Sequence, residues 1–198
     1  MLTRGIGAGA QYILDRIVRT LSLARIHPNV LTAVGLAINI VAAVLFGKGH
    51  FQSAGLVVLG AGVFDMVDGR VARASNTATS FGAFFDSVVD RYSDMALYMG
   101  LLVYYARVGR SLYVVLVALV MAGSVMISYT RARAESLIPT CKVGFLERPE
   151  RIVVIIIGAL WARMGPALWV IGVLSNITVI HRCIYTWRET QQQARASS

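Results

Sequence analysis

From Val30 to Phe46 the chain carries no charged side chain, and comparable apolar runs recur downstream. One starts near Phe51, one runs from Phe81 through Leu101 to Tyr105, and others cover Leu112 to Tyr129, Ile152 to Trp161 and Ala167 to Ile180. Runs of this kind limit the fold severely, because backbone N–H and C=O groups in hydrocarbon must be paired within the segment, which only a helix or a closed barrel achieves. The composition agrees: 57% of the residues are hydrophobic and 15% charged, where a soluble domain has about half and a quarter. The expected fold is therefore an all-α integral membrane protein with six transmembrane helices in a single domain, residues 1–198. The fifth run is short against the roughly 20 residues of a straight span, so it must borrow from its flanks or line a cavity.

Ahead of the first span, residues 1–25 alternate apolar side chains such as Tyr12, Ile13, Ile17 and Leu21 with Arg16 and Arg19. That pattern is too charged to cross a bilayer and suits an N-terminal amphipathic helix lying on the membrane surface. Pro28 and Asn29 break it and start the next helix. Gly47-Lys48-Gly49-His50 reads as a tight turn, Ala74 to Ser80 as a short polar loop, and Arg131 to Glu135 as a helical extension of the fourth span. Trp187 is expected to anchor the sixth helix at the interface, and residues 189–198 form a polar tail expected to fray. Cys141 and Cys183 lack metal-site spacing and are expected to be packed thiols. The N-terminus lacks the form of a removable signal peptide.

A net charge of +9 can mark a nucleic-acid binder, but here the cations flank apolar segments, so no nucleic-acid partner is expected and the lipid bilayer explains the charge. With six spans both termini share one side. The opposite side holds Lys48, Arg107, Arg110 and Arg163, leaving fifteen of the nineteen Lys and Arg residues on the side of the termini. The positive-inside rule then makes that side cytoplasmic, and the expected location is the cell inner (cytoplasmic) membrane with the acidic stretch facing the cytoplasm.

That stretch runs from Asp65 to Asp90. Carboxylates beside membrane spans are costly and mark function by default. On helices, Asp65 and Asp68 are i,i+3 and Asp86 and Asp90 are i,i+4, so each pair projects from one face. Two such faces brought together form a cage of hard oxygens suited to Mg²⁺, Mn²⁺ or Ca²⁺ rather than zinc. A membrane cation carrier is the rival from another class, and it requires acidic residues spread through the membrane depth.

Written out, the stretch is DxxDGxxARx8GxxxDxxxD, with Asp65, Asp68, Gly69, Ala72, Arg73, Gly82, Asp86 and Asp90 at its marked positions. It resembles the signature of the CDP-alcohol phosphotransferase (CDP-alcohol phosphatidyltransferase) family, membrane enzymes that join a CDP-linked alcohol to a second alcohol and release CMP. The resemblance implies two divalent cations, Mg²⁺ or Mn²⁺, held by Asp65, Asp68, Asp86 and Asp90, with Asp90 also the general base for the acceptor hydroxyl. It implies a nucleotide site at Asp68, Gly69, Ala72, Arg73 and Gly82, and a homodimer. Such chemistry is physically coherent, since two metals stabilise both the attacking and the leaving oxygen. Small residues at 69, 72 and 82 would let a flat cytidine approach, although glycines also serve plain helix packing in membranes.

Outside the signature, Asp94 is expected to pair with a neighbouring arginine, Arg91 to point away from Asp90 towards the membrane surface, and Asn29 and Thr32 to cap a helix rather than touch nucleotide. Arg131, Arg148, Arg151 and Arg182 lie on the side of the aspartates and are candidates for binding an anionic acceptor, for which the guanidinium fork is well shaped. Positive-inside flanking also accounts for their charge. The segments Ser128 to Glu135 and Glu147 to Arg151 are similar to the SYxKARAE and ERxER stretches of bacterial phosphatidylinositol-phosphate synthases, with Arg131 in place of lysine. This likeness implies transfer of a phosphatidyl group from CDP-diacylglycerol to inositol phosphate, in phospholipid biosynthesis. Another phosphorylated polyol, glycerol 3-phosphate, is the alternative acceptor, as in a phosphatidylglycerophosphate synthase.

Overall fold

The computed structural model describes residues 28–74 and 79–196, and within them the side chains of all but residues 28, 66–74 and 196. Six helices account for nearly all of it: α1 (Pro28–Gly47), α2 (Phe51–Ala74), α3 (Ser80–Arg107), α4 (Ser111–Glu135), α5 (Arg148–Leu160) and α6 (Met164–Ala196). Among the described residues there is no strand. The expected surface helix over 1–25 lies outside them.

Short connections join successive helices except between α4 and α5, where residues 136–147 intervene. Between α1 and α2 the chain reverses at Gly49, whose φ of +85° a side chain would oppose, and His50 N–H donates to Leu45 O at 2.9 Å. Thr79 caps α3 through its hydroxyl, which accepts from Gly82 N–H at 2.9 Å. The α5 helix starts at Arg148 with Pro149 in its first turn, where a missing N–H costs nothing. The short fifth run thus borrows its first turn from the charged flank. At the other extreme, α6 continues as helix through Ala196 rather than fraying at the polar tail. No Gly or Pro follows Gly172 to stop it, and the closing Gln and Ala residues have good helix propensity.

The helices close into a ring. α1 packs against α2 and α3, α3 against α4, α4 against α6, α6 against α5, and α5 against α2. Small residues allow these approaches, as expected between helices in lipid: a Cβ at Gly100 on α3 would collide with the Ala43 carbonyl of α1, and one at Gly158 on α5 would press on Ala167 of α6. One half of the ring is filled by apolar side chains from all six helices, among them Phe46, Val58, Leu97, Leu101, Val117, Ile155 and Leu168. The outside is apolar too, with Leu56, Leu112, Leu119 and Val173 all exposed. A chain apolar both inside and outside belongs in a membrane. Three of its helices, over Asn29–Gly47, Ser111–Glu135 and Met164–Arg195, are long and apolar enough to cross one, and Phe51–Asp65 is a shorter apolar helix. Cys141 is packed as expected, whereas Cys183 is exposed on α6, where the chain faces outward from the ring.

Candidate active site

The other half of the ring is the end where α2 and α4 finish and α3 and α5 begin. Every carboxylate with a described side chain belongs to this end: Asp65, Asp86, Asp90, Asp94, Glu135, Glu147, Glu150 and, farther along α6, Glu189. Such clustering at one end is opposed to the distributed ladder that a cation carrier requires.

Asp65 on α2 and Asp90 on α3 converge on a single nitrogen. Arg148 Nη1, from the start of α5, lies 3.2 Å from Asp65 Oδ2 and 2.8 Å from Asp90 Oδ1. Asp86 is more exposed, and its charge reaches both of them. Asp68 is one turn beyond Asp65 on α2, so the two share a face. Its side chain, with those of Gly69, Ala72 and Arg73, lies outside the described residues. Among the described residues no three carboxylates gather tightly enough to hold an ion by themselves. The pair that is placed, Asp65 and Asp90, consists of hard anionic oxygens converging on positive charge, which is the donor chemistry a Mg²⁺ or Mn²⁺ ion takes.

Asp94, one turn beyond Asp90, is buried and does pair with arginine, but with two rather than one. Arg151 Nη2 donates to its Oδ2 at 2.7 Å, and Arg148 Nε to its Oδ1 at 3.3 Å. Arg151 is only 2% exposed, and its Nε and Nη1 have no hydrogen-bond partner among the described residues. Arg91 departs from expectation. It folds back on Ser87, whose Oγ it meets at 3.1 Å, and its Nη1 comes within 3.8 Å of Asp90 Oδ2. The neighbouring carboxylate outcompetes the membrane surface for its charge.

The four arginines singled out from the sequence meet. Arg131 of α4, Arg148 and Arg151 of α5, and Arg182 of α6 line one cavity of about 380 Å³ together with Ser87, Ser128, Glu135 and Glu147. Glu147 Oε1 accepts from Arg131 Nη1 and from Arg182 Nη2, each at 3.1 Å. Arg131 Nε also reaches Glu135 at 3.2 Å, and Arg182 Nε is fixed on the Val143 carbonyl at 2.8 Å. Positive-inside flanking requires none of this convergence. A second, mostly apolar cleft of about 330 Å³ between α2 and α5 ends at Asp65 and shares Arg148 and Pro149 with the arginine cavity.

Two further residues shape the site. Gly35 of α1 faces Asp65, and a Cβ there would stand 3.0 Å from Asp65 Oδ1. Asn39, buried one turn on, donates from Nδ2 to Gly35 O at 3.0 Å and lines the apolar cleft. Thr32, Gly35 and Asn39 at i, i+3 and i+7 form a small and polar stripe in an otherwise apolar run, of which only Thr32 was singled out, as a helix cap. Gly82 sits in the first turn of α3 beside Asn29, whose Oδ1 would be 3.5 Å from an added Cβ, so the starts of α1 and α3 are adjacent.

Comparison with known proteins agrees with this geometry. A family model described as CDP-alcohol phosphatidyltransferase matches residues 25–187. A phosphatidylinositol phosphate synthase of Mycobacteroides abscessus is 36% identical over 180 residues, covering 86% of this chain and 81% of that one. An archaetidylinositol phosphate synthase of Pyrococcus horikoshii is 35% identical over 170 residues, covering 85% and 88%. The crystal structure of Mycobacterium tuberculosis phosphatidylinositol phosphate synthase with CDP-DAG bound superposes with a TM-score of 0.83 at 32% identity, over 89% of this chain and 94% of that one. The form of that enzyme in complex with manganese and citrate gives 0.81 at 33% identity, over 88% of each chain. With the family match spanning residues 25–187 and the relatives covered over most of their length, this chain is an enzyme of the CDP-alcohol phosphatidyltransferase family.

Proposed function

We propose that the protein transfers the phosphatidyl group of CDP-diacylglycerol to a hydroxyl of inositol phosphate and releases CMP. The observation that carries this reading is the arginine cavity, where cations from three helices converge beside the aspartates. It also lies at the N-terminus of α5, where the helix dipole favours an anion. A phosphorylated acceptor fits such a cavity, whose lining arginines outnumber its carboxylates Glu135 and Glu147, whereas a neutral alcohol would leave that excess of positive charge unbalanced. Inositol phosphate is preferred to glycerol 3-phosphate because the relatives above share that headgroup by name while differing in their lipid.

The apolar cleft ending at Asp65 would admit the diacylglycerol chains from the bilayer, leaving the pyrophosphate at the aspartates. Asp65, Asp68, Asp86 and Asp90 would hold two divalent cations, Mg²⁺ or Mn²⁺, which when bound neutralise the pyrophosphate and the charge that develops on its oxygens. Asp68, Gly69, Ala72, Arg73 and Gly82 would take the nucleotide. The acceptor's phosphate, held by Arg131, Arg148, Arg151 and Arg182, would present a hydroxyl to the phosphorus that bears the lipid. As the new P–O bond forms, the bond to CMP breaks, and Asp90 accepts the hydroxyl proton. Six spans with the site on the cytoplasmic face of the inner membrane, an N-terminal surface helix and a homodimeric assembly complete the reading.

The test incubates purified protein with CDP-diacylglycerol and Mn²⁺ and adds inositol 1-phosphate, glycerol 3-phosphate, inositol or serine in turn. CMP release with inositol 1-phosphate alone is the expected outcome. Release with glycerol 3-phosphate instead would overturn the acceptor assignment, and release with none would overturn the proposed donor and acceptor pair.

A further inference from the structure

Arg148 joins the two halves of the site and is the arginine that meets two of its aspartates. Its Nη1 engages Asp65 Oδ2 and Asp90 Oδ1, and its side chain also lines the arginine cavity. If the aspartates hold divalent cations, as the reading above has it, an ion bonded to those same oxygens at about 2.0–2.1 Å, the Mg²⁺ distance, would lie against the guanidinium. Two cations cannot share the position.

We propose that Arg148 switches between the aspartates and the acceptor's phosphate, so that divalent-cation binding and acceptor binding reinforce each other. The inference rests on the functional reading above. Displaced from Asp65 and Asp90, the guanidinium borders two volumes: the mostly apolar cleft, where an unpaired charge is costly, and the cavity lined by Arg131, Arg151 and Arg182, which it therefore enters. The cavity already sets Arg91, Arg131, Arg151 and Arg182 against only Glu135 and Glu147, so a further cation is favoured there when an additional anion joins them. The acceptor's phosphate therefore holds Arg148 off the carboxylates, and the metal ion holds it towards the phosphate.

Local structure suits the movement to this arginine alone. Pro149 follows it and fixes the backbone at the start of α5, so only the side chain turns. The contact of its Nε with Asp94 Oδ1 at 3.3 Å supplies a pivot near the middle of the side chain. A quarter of the Arg148 side chain is exposed, whereas Arg151 is 2% exposed, tied to Asp94 at 2.7 Å, and has no room to turn. Asp94 is on this account a positioning residue, anchoring one arginine and hinging the other.

Because linkage is reciprocal, each ligand must raise the affinity of the other by the same factor. The experiment measures Mn²⁺ binding to the full-length protein in nanodiscs by electron paramagnetic resonance of the free ion, with and without saturating inositol 1-phosphate. Inositol 1-phosphate binding is titrated calorimetrically with and without Mn²⁺. For the wild type both ratios are expected to agree, at roughly fivefold or more. Arg148→Gln is expected to bind Mn²⁺ more tightly than wild type when no acceptor is present, and to bring the ratio to one. Arg131→Gln, which touches Glu135 and Glu147 but no aspartate, is expected to weaken inositol 1-phosphate while leaving Mn²⁺ affinity without acceptor unchanged. Independent binding of the two ligands to the wild type overturns the proposal whatever the variants do. So does an Arg148→Gln variant that keeps the coupling. If inositol 1-phosphate fails to bind the wild type even with Mn²⁺, the acceptor assignment is what fails, and tighter Mn²⁺ binding in Arg148→Gln still reports the competition at the carboxylates.

Discussion

Asp94→Asn should be among the most damaging single substitutions outside the signature, for a reason that involves no chemistry at the reacting phosphorus. Arg151 is 2% exposed, and its Nε and Nη1 have no partner among the described residues, so Asp94 at 2.7 Å is its counter-ion. Removing one partner of a buried pair leaves an uncompensated charge and costs about 3–5 kcal/mol, a large part of a typical stability of roughly 5–15 kcal/mol. The second contact of Asp94, to the partly exposed Arg148, adds at most about 1 kcal/mol. Replacing both members of the buried pair, Asp94→Leu with Arg151→Met, removes the stranded charge and should restore much of the loss, because an apolar pair of similar volume is often neutral or better. Unfolding should be followed in mild detergent by far-ultraviolet circular dichroism, since Trp161, Trp169 and Trp187 are all exposed and report poorly on the interior. Asp94→Asn within about 1 kcal/mol of wild type, or a double variant as unstable as the sum of the singles, would refute the reasoning.

Gly35→Ala places a methyl group 3.0 Å from Asp65 Oδ1. It should weaken Mn²⁺ binding and lower CMP release by roughly tenfold, the effect of a misplaced ligand in a metal site, and Gly35→Val should do more. Asp65→Asn and Asp86→Asn should each abolish CMP release while circular dichroism shows the helices retained; full activity in either would contradict the cation site. A chelator should abolish release in the wild type, and added Mn²⁺ or Mg²⁺ should restore it. Arg182→Ala should raise the KM for inositol 1-phosphate at least tenfold with little change in that for CDP-diacylglycerol. Arg182→Lys should not rescue it, because an ammonium cannot reproduce the fork that joins Val143 O and Glu147.

Much of the site could be read without coordinates because its determinants are local. The spacing of Asp65, Asp68, Asp86 and Asp90 projects them in pairs whatever the helices pack against, and the bias of Lys and Arg places them all at one end. The arginine cluster was also foreseen as a set, although any one of its members was equally explained as a flanking charge. What spacing could not convey was how two clusters distant in sequence would meet. Arg148 was expected to serve the acceptor; it also reaches Asp65 and Asp90, because the closed ring sets the start of α5 against the end of α2. Gly35 escaped notice for the same reason, its neighbour Asp65 belonging to another helix. Arg91 was misjudged because helix geometry places its Cβ away from Asp90 but says nothing of where a long side chain folds back.

The sequence by itself determined that the chain is helical and membrane-bound, that four carboxylates are spaced in two pairs at helical intervals, and that its cations flank the apolar segments. Each of these follows from the period of a single helix or from summed charge, and neither needs a partner. The ring of six helices decided which arginine meets which carboxylate, that Asp94 holds two of them, and that one guanidinium stands between the aspartates and the cavity beside them. Those contacts join residues from different helices, and only the packing that closes the ring brings such residues within reach of one another.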